Sequence, residues 1–131
     1  MAKVAVTDGL SNEAKVLLEK NGHEVVVKFY ENAELESGVL NDFDAVIVRS
    51  ATKLTANIIA KSTNLKVIAR AGVGVDNIDL EAAGNAGIPV VNAPIASTQS
   101  VLELTIGHLL SSVRHLPKSD RSMREGKWEK K

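Results

Sequence analysis

Two arginines that follow neighbouring apolar runs are the residues whose chemistry can be inferred most directly from the sequence. Arg49 comes immediately after the run at 45–48, and Arg70 comes immediately after the run at 67–69. The carboxyl ends of parallel strands meet at one edge of a sheet, which is where open α/β proteins bind ligands. A guanidinium group binds carboxylate or phosphate through two parallel hydrogen bonds. The spacing therefore predicts an anion site shared by Arg49 and Arg70, against the alternative of two solvated surface arginines.

The loop Gly72-Val73-Gly74 follows the second of these runs and precedes a helix start. Glycines let successive backbone N–H groups turn toward one oxyanion, so the loop predicts either an anion nest or a simple tight turn. A dinucleotide fingerprint needs a third glycine three positions after the second. Asn77 stands there, and Asn92 rather than an acidic residue follows the next strand. We therefore reject a dinucleotide site in this loop.

The remaining polar residues predict no metal centre and no catalytic group. Asp8 ends the first apolar run, as the acidic pocket of a receiver domain would require, but Arg49 stands where that pocket needs a second aspartate. We interpret Asp8 as a turn residue. The three histidines, His23, His108 and His115, are scattered and have no accompanying carboxylate cluster.

Composition limits the class of protein. The chain has 131 residues, of which 44% are hydrophobic and 24% charged, which is sufficient for a folded core. Its formal net charge is zero, so electrostatics gives no reason to expect a nucleic acid or an anionic membrane as a partner. Cysteine is absent, and the first apolar run is too short for a signal peptide or a membrane span. We expect a cytoplasmic location.

Short β-branched runs alternate with helical segments along the first two thirds of the chain. The predicted strands are 4–6, 24–28, 45–48, 67–69 and 90–91, and the predicted helices follow Ser11 and span 34–40, 55–60 and 80–86. Strands that are apolar on both faces are typical of parallel sheets covered by helices. The pattern predicts an α/β fold, a flavodoxin-like doubly wound parallel five-stranded sheet in the order 2-1-3-4-5.

The last third begins with a long apolar helix, predicted at 100–116. Its apolar residues surround most of the helix, so we expect burial on more than one side. Two interpretations stay open: the helix meets a partner, either a second domain or a second copy, or it is a core helix of this domain. Pro117 is expected to end it, with a polar segment up to residue 131.

Several motifs together resemble one family, the D-2-hydroxyacid dehydrogenases, and within it the phosphoglycerate dehydrogenases. The resemblance is to the N-terminal portion of such enzymes and extends over essentially the whole chain. The motifs that carry it are Val48-Arg49-Ser50-Ala51-Thr52-Lys53, then Arg70-Ala71-Gly72-Val73-Gly74-Val75-Asp76-Asn77-Ile78-Asp79, Asn92-Ala93-Pro94, Glu103-Leu104-Thr105, and Arg124-Glu125-Gly126-Lys127-Trp128.

The resemblance implies an NAD-dependent oxidation of 3-phosphoglycerate to 3-phosphohydroxypyruvate in serine biosynthesis. It implies that residues 1–97 form a substrate-binding (lid) domain and that residues 98–131 form a crossing helix and linker toward an absent Rossmann NAD-binding domain. Substrate contacts are implied for Arg49, Ser50, Arg70 and the residues Gly72, Val73 and Gly74. The arginines correspond to positions that bind the substrate phosphate, and the Val73 and Gly74 N–H groups to a carboxylate-binding loop. Val73 would also lie beside the nicotinamide.

The catalytic arginine, glutamate and histidine of the family have no counterpart among these residues. We therefore expect the 131-residue chain by itself to be inactive and to bind NAD weakly or not at all. The resemblance further implies a homodimer or a domain-swapped dimer formed through the helix at 100–116. The alternative function is a stand-alone, non-catalytic flavodoxin-like scaffold that self-associates through the same helix.

Overall fold

The computed structural model describes residues 1–128. The chain forms two compact units, Met1–Pro94 and Ile95–Lys131. The final three positions of the predicted linker, 129–131, lie outside the described residues.

The first unit is built on one five-stranded sheet in which every pair of neighbours is parallel. Its strands are β1 (Lys3–Val6), β2 (Glu24–Val27), β3 (Ala45–Val48), β4 (Val67–Arg70) and β5 (Val90–Asn92). They lie in the order β2-β1-β3-β4-β5, which confirms the predicted topology. All five carboxyl ends therefore lie along one edge.

Four helices connect the strands, and their starts follow local sequence signals. They are α1 (Asn12–Lys20), α2 (Asn32–Glu36), α3 (Ala56–Ala60) and α4 (Leu80–Asn85). The Ser11 hydroxyl accepts a hydrogen bond from Ala14 N at 3.2 Å, and the Asp79 carboxylate accepts one from Ala82 N at 2.9 Å. Both are N-cap bonds that satisfy an otherwise unpaired donor of the first turn.

The single helix predicted at 34–40 is wrong. The chain forms α2, breaks at Gly38 and continues as a 3-10 helix at Val39–Asp42. Gly38 takes a left-handed conformation with φ of 93°, which an α-helix cannot contain and which glycine adopts without steric cost.

The core lies on one face of the sheet. It combines strand residues with residues of α2, α3 and α4, among them Ala5, Val46, Val48, Ile68, Leu35, Ile58, Ile59 and Ala83. On the other face, Ile47 and Ala69 are half-buried and Val91 is 50% exposed. The β3 to β5 half of that face is therefore incompletely covered within the described residues.

The second unit consists of α5 (Thr98–Val113) and α6 (Leu116–Arg124), which corrects the predicted helix and polar tail. The break falls at His115, which has a left-handed φ of 53°. Pro117 lies in the first turn of α6, where its missing N–H costs nothing, so it begins a helix instead of ending one.

No residue of α5 is buried. The expected burial on several sides is not found within residues 1–128, and both interpretations of this helix, a partner contact and a core helix, stay predictions. Its exposed apolar residues are Val101, Leu102, Leu104, Ile106, Leu109, Leu110 and Val113. Within residues 1–128, the structure has no helix that is both long and apolar enough to cross a membrane.

Candidate functional site

The register of the sheet places the two arginine-bearing strand ends side by side. Val48 pairs with Arg70 across β3 and β4, and Ala71 N donates to Val48 O at 2.9 Å. Arg49 is therefore the first residue beyond β3, next to the end of β4. Its side chain is exposed and makes no hydrogen bond or ion pair with the described residues. Ser50, the neighbouring predicted contact, is also exposed.

The Arg70 side chain folds back over its own loop. A Cβ added at Gly72 would collide with Arg70 Nη1 and Cζ, so the guanidinium group occupies the space that a side chain at 72 would need. The Arg70 Nε atom is buried and has no hydrogen-bond partner within the described structure. A buried donor without a partner is uncommon in folded proteins. An anion at this loop would satisfy it.

The loop after β4 presents two unpaired N–H groups. Gly72 O accepts from Ala93 N at 3.0 Å, and Val73 O accepts from Asn92 Nδ2 at 2.6 Å. In a trans peptide the C=O and the following N–H point in opposite directions. The N–H groups of Val73 and Gly74 therefore point away from the end of β5. Neither donates to an acceptor in residues 1–128, so both are available to an external acceptor.

Asp8 does more than form the turn that the sequence indicated. Its Oδ2 accepts from Arg49 N at 2.7 Å and from Thr52 N at 3.1 Å, and its Oδ1 accepts from Thr52 Oγ1 at 2.5 Å. Thr7 Oγ1 lies 3.3 Å from the same Oδ1 and 2.8 Å from Thr52 Oγ1, and Thr52 is buried. The carboxylate thus joins the end of β1 to the loop after β3.

These bonds also set the ionisation of Asp8. Partial burial alone would raise the pKa of its carboxyl group, but the hydrogen bonds from Thr52 Oγ1, Thr52 N, Arg49 N and Thr7 Oγ1 favour the charged form. The hydrogen bonds together outweigh the burial, and the pKa of Asp8 lies below its usual 3.8.

Asn77 joins the loop after β3 to the loop after β4. Its Nδ2 donates to Arg49 O at 2.8 Å and to Thr52 O at 2.7 Å. The same residue replaces the third glycine of a dinucleotide fingerprint, and its amide explains why a side chain is useful there. Sequence reasoning missed the roles of Asp8, Asn77 and Asn92. The available signal was a short polar side chain near each strand end, without any indication of its partners.

One carboxylate opposes an anion at this site. A Cβ added at Gly74 would lie 2.9 Å from Asp76 Oδ1, so the Asp76 carboxylate is close to the nest. Within residues 1–128, no group of three or more histidine, cysteine or carboxylate residues has the geometry to hold a metal ion. The site geometry therefore involves guanidinium and backbone donors.

A parallel sheet in this order, with two arginines and a loop of unpaired donors at its carboxyl edge, defines an α/β domain of flavodoxin-like topology. Residues 4–125 match the family model described as the D-isomer specific 2-hydroxyacid dehydrogenase catalytic domain. The chain belongs to the D-isomer specific 2-hydroxyacid dehydrogenase family, as the motifs indicated.

The relatives support this assignment at the level of the whole chain. The chain is 47% identical over 131 residues to a D-3-phosphoglycerate dehydrogenase of Methanocaldococcus jannaschii, covering 100% of this chain and 25% of that protein. It is 47% identical over 130 residues to a hydroxypyruvate reductase of Thermotoga maritima, covering 98% of this chain and 42% of that protein. The chain thus spans a quarter to under half of the length of these relatives.

Solved structures show the same fold. A 3-phosphoglycerate dehydrogenase of Entamoeba histolytica with NAD⁺ bound has a TM-score of 0.69 and 36% identity, covering 84% of this chain and 38% of that one. An NAD-dependent formate dehydrogenase of Staphylococcus aureus in complex with NAD has a TM-score of 0.76 and 30% identity, covering 98% of this chain and 42% of that one. NAD is thus bound in both relatives, as expected for this family.

Proposed function

We propose that this chain is the substrate-binding portion of an NAD-dependent oxidoreductase that oxidises 3-phospho-D-glycerate to 3-phosphohydroxypyruvate in cytoplasmic serine biosynthesis. The support is the agreement between two lines of observation. Relatives at 47% identity carry the name D-3-phosphoglycerate dehydrogenase. The carboxyl edge of the sheet, independently, presents donors and cations suited to a small anionic substrate.

The observation that carries this proposal is the set of unsatisfied donors around Gly72. Arg70 Nε and the Val73 and Gly74 N–H groups belong to one short loop, and none has an acceptor in the described residues. Three unpaired donors within the short stretch 70–74 fit an oxyanion better than a neutral ligand, since each charge-assisted bond is stronger than a neutral one.

The substrate carries two anionic groups, and the site offers two kinds of donor. We assign the phosphate to Arg49 and Arg70, because a guanidinium fork matches phosphate oxygens and carries a full charge. We assign the carboxylate to the Val73 and Gly74 N–H groups, which place partial positive charge at a fixed position. The negative charge of Asp76 lowers the affinity for an anion. The two positive charges of Arg49 and Arg70 outweigh that effect.

We further propose that the 131 residues alone bind substrate without turning it over. Hydride transfer needs a nicotinamide held against the substrate. The loop at 72–77 lacks the third glycine of a dinucleotide cradle, and Val73 is the only residue here for which we propose a nicotinamide contact. The absence of NAD reduction by the purified chain, in the presence of 3-phospho-D-glycerate, is the expected result.

Backbone amide NMR during titration with 3-phospho-D-glycerate tests the binding proposal. We expect saturable shifts at the N–H groups of Val73 and Gly74 and around Arg49 and Arg70. Arg49→Ala and Arg70→Ala should each weaken binding by about tenfold or more. Arg124→Ala removes a cation from α6 and should leave the affinity unchanged. Unchanged spectra at millimolar ligand would refute the binding site.

A second candidate function has its own supporting observation, the exposed apolar residues of α5. Leu104 is 62% exposed, Leu109 61% and Val113 65%. Exposed apolar residues along one helix are typical of an interaction surface. On this alternative the chain is a non-catalytic scaffold that self-associates through α5, and a homodimer or domain-swapped dimer is the form that we propose.

A further inference from the structure

We propose that Asp8 is a positioning residue of the anion site: its carboxylate holds the Arg49 backbone so that the guanidinium group faces the loop after β4. This inference rests on the proposed function of Arg49 as a phosphate-binding residue. Asp8 itself does not contact the ligand, and its own negative charge opposes anion binding.

The Arg49 backbone is fixed on both sides by side chains from other segments. Asp8 Oδ2 accepts from Arg49 N at 2.7 Å, and Asn77 Nδ2 donates to Arg49 O at 2.8 Å. The Arg49 side chain makes no hydrogen bond or ion pair among the described residues. The point from which the side chain extends is therefore set by the backbone at 49, which Asp8 and Asn77 hold.

Thr52, three residues after Arg49, is hydrogen-bonded to the same two side chains. Its N–H and its hydroxyl both donate to the Asp8 carboxylate, and its carbonyl accepts from Asn77. The segment from Arg49 to Thr52 is therefore attached at both ends to the same two side chains. The Thr52 hydroxyl is buried, at 3% exposed, and its acceptors there are Asp8 Oδ1 and Thr7 Oγ1.

The charge of Asp8 separates a positioning role from an electrostatic one. Removing a negative charge beside an anion site should strengthen anion binding if charge alone matters. Removing an attachment point of Arg49 should weaken it, because a displaced guanidinium group loses its paired hydrogen bonds. Asp8→Ala is therefore expected to strengthen anion binding if charge alone matters and to weaken it if Asp8 positions Arg49.

Asp8→Asn keeps the attachment and removes the charge. An asparagine oxygen still accepts from Arg49 N and Thr52 N, and its amide donates to Thr52 Oγ1. The Thr52 proton then turns to Thr7 Oγ1, 2.8 Å away. Asp8→Ala removes both the charge and the attachment. Asp44 provides a matched control, since its carboxylate also joins β1 to β3, accepting from Lys3 N at 2.8 Å, but at the amino edge of the sheet.

The test is the affinity for 3-phospho-D-glycerate by NMR titration of the 131-residue chain and its variants. We expect Asp8→Ala to weaken binding by roughly tenfold, Asp8→Asn to bind as tightly as the parent or a few times tighter, and Asp44→Ala to leave the affinity unchanged. Affinity in Asp8→Ala equal to or tighter than in the parent overturns the proposal. So does equal weakening in both position-8 variants.

A second readout distinguishes failure of this inference from failure of the proposed function. Amide hydrogen exchange at Arg49 and Thr52 reports the attachment with no ligand present. If exchange is faster in Asp8→Ala and returns to the parent rate in Asp8→Asn, the attachment is supported even when the parent does not bind 3-phospho-D-glycerate. Exchange in Asp8→Ala at the parent rate refutes the attachment. If Asp8→Ala does not fold, Asn77→Ala loosens the Arg49 backbone from its carbonyl side and is tested identically.

Discussion

The N–H groups of Val73 and Gly74 point away from β5 because the carbonyls before them are hydrogen-bonded at the end of that strand. Asn92 Nδ2 donates to Val73 O, and Ala93 N donates to Gly72 O, at the end of β5. A backbone amide is aimed in this way by fixing the other end of its peptide plane. At the residue scale, the candidate site is thus made from hydrogen bonds that orient backbone, with Arg70 as the added charge.

Gly72 is required because the Arg70 guanidinium group occupies the space beside its Cα. Gly72→Ala should displace that group and weaken binding of 3-phospho-D-glycerate by about tenfold. The displaced atoms belong to the flexible end of a side chain, and the backbone at 72 adds strain of its own at a φ of 159°, so the variant should fold with reduced stability. Calorimetric titration measures the affinity. Gly107→Ala, in open space on α5, is the control and should bind like the parent.

Asp8 should also link stability to pH. Its pKa in the folded chain lies below the usual value, so its stabilising effect is fully present above about pH 4 and is lost as the pH falls through the folded pKa. Urea unfolding between about pH 6 and about pH 2.5 should show this loss. Asp8→Asn should reduce the slope with pH, and an unchanged slope in that variant would contradict the assignment.

Glycines decide where the short elements of the first unit end. Gly38 separates α2 from the 3-10 helix in a left-handed conformation, whereas Gly84 lies inside α4 without a positive φ. The same residue type therefore has opposite effects in the two elements. In one it permits a conformation that other residues avoid, and in the other it only adds flexibility to the unfolded chain.

Alanine at these two positions should change the free energy of unfolding in opposite directions. Gly38→Ala should destabilise by about 1 kcal/mol, because a side chain is strained at a φ of 93°. Gly84→Ala should stabilise by roughly 0.5–1 kcal/mol, because its Cβ would meet no atom within 4 Å. Chemical denaturation measures both. Equal effects of one sign would show that backbone conformation is not the cause.

At the scale of the whole molecule, α5 and the end of β5 expose apolar side chains. All of α5 is solvent-accessible in the described chain, and part of the β3 to β5 face is open. Apolar area of this kind is removed from water by association, at about 25 cal/mol per Å². The second unit is therefore the part of the chain from which a partner contact is expected.

Self-association should depend on the apolar residues of α5. The chain should form dimers at about 100 µM in sedimentation equilibrium, and Leu109→Glu should weaken the dimer by roughly tenfold or more. His108→Glu places the same charge at the neighbouring position and separates a general charge effect from loss of the apolar contact. A strictly monomeric parent chain would contradict the proposed interface.

The sequence by itself determined the strands, the sheet order and the arginine positions at its carboxyl edge. The strand positions are read locally: a β-branched run suits the pleated surface of a strand, and a residue that follows such a run lies at its end. Alternation of strands with helices then leaves few permitted topologies. The N-cap bonds at Ser11 and Asp79 are equally local, because each spans only three residues.

Only the tertiary structure decided which polar groups at that edge have hydrogen-bond partners within the chain and which remain unpaired. Asp8 meets Arg49 across 41 positions of sequence, and Asn92 meets Val73 across 19. Such partnerships depend on the register of β1, β3, β4 and β5, which no single segment encodes. The same dependence explains why Asp8 read as a turn residue in sequence, since its carboxylate finds its donors only after the strands have paired.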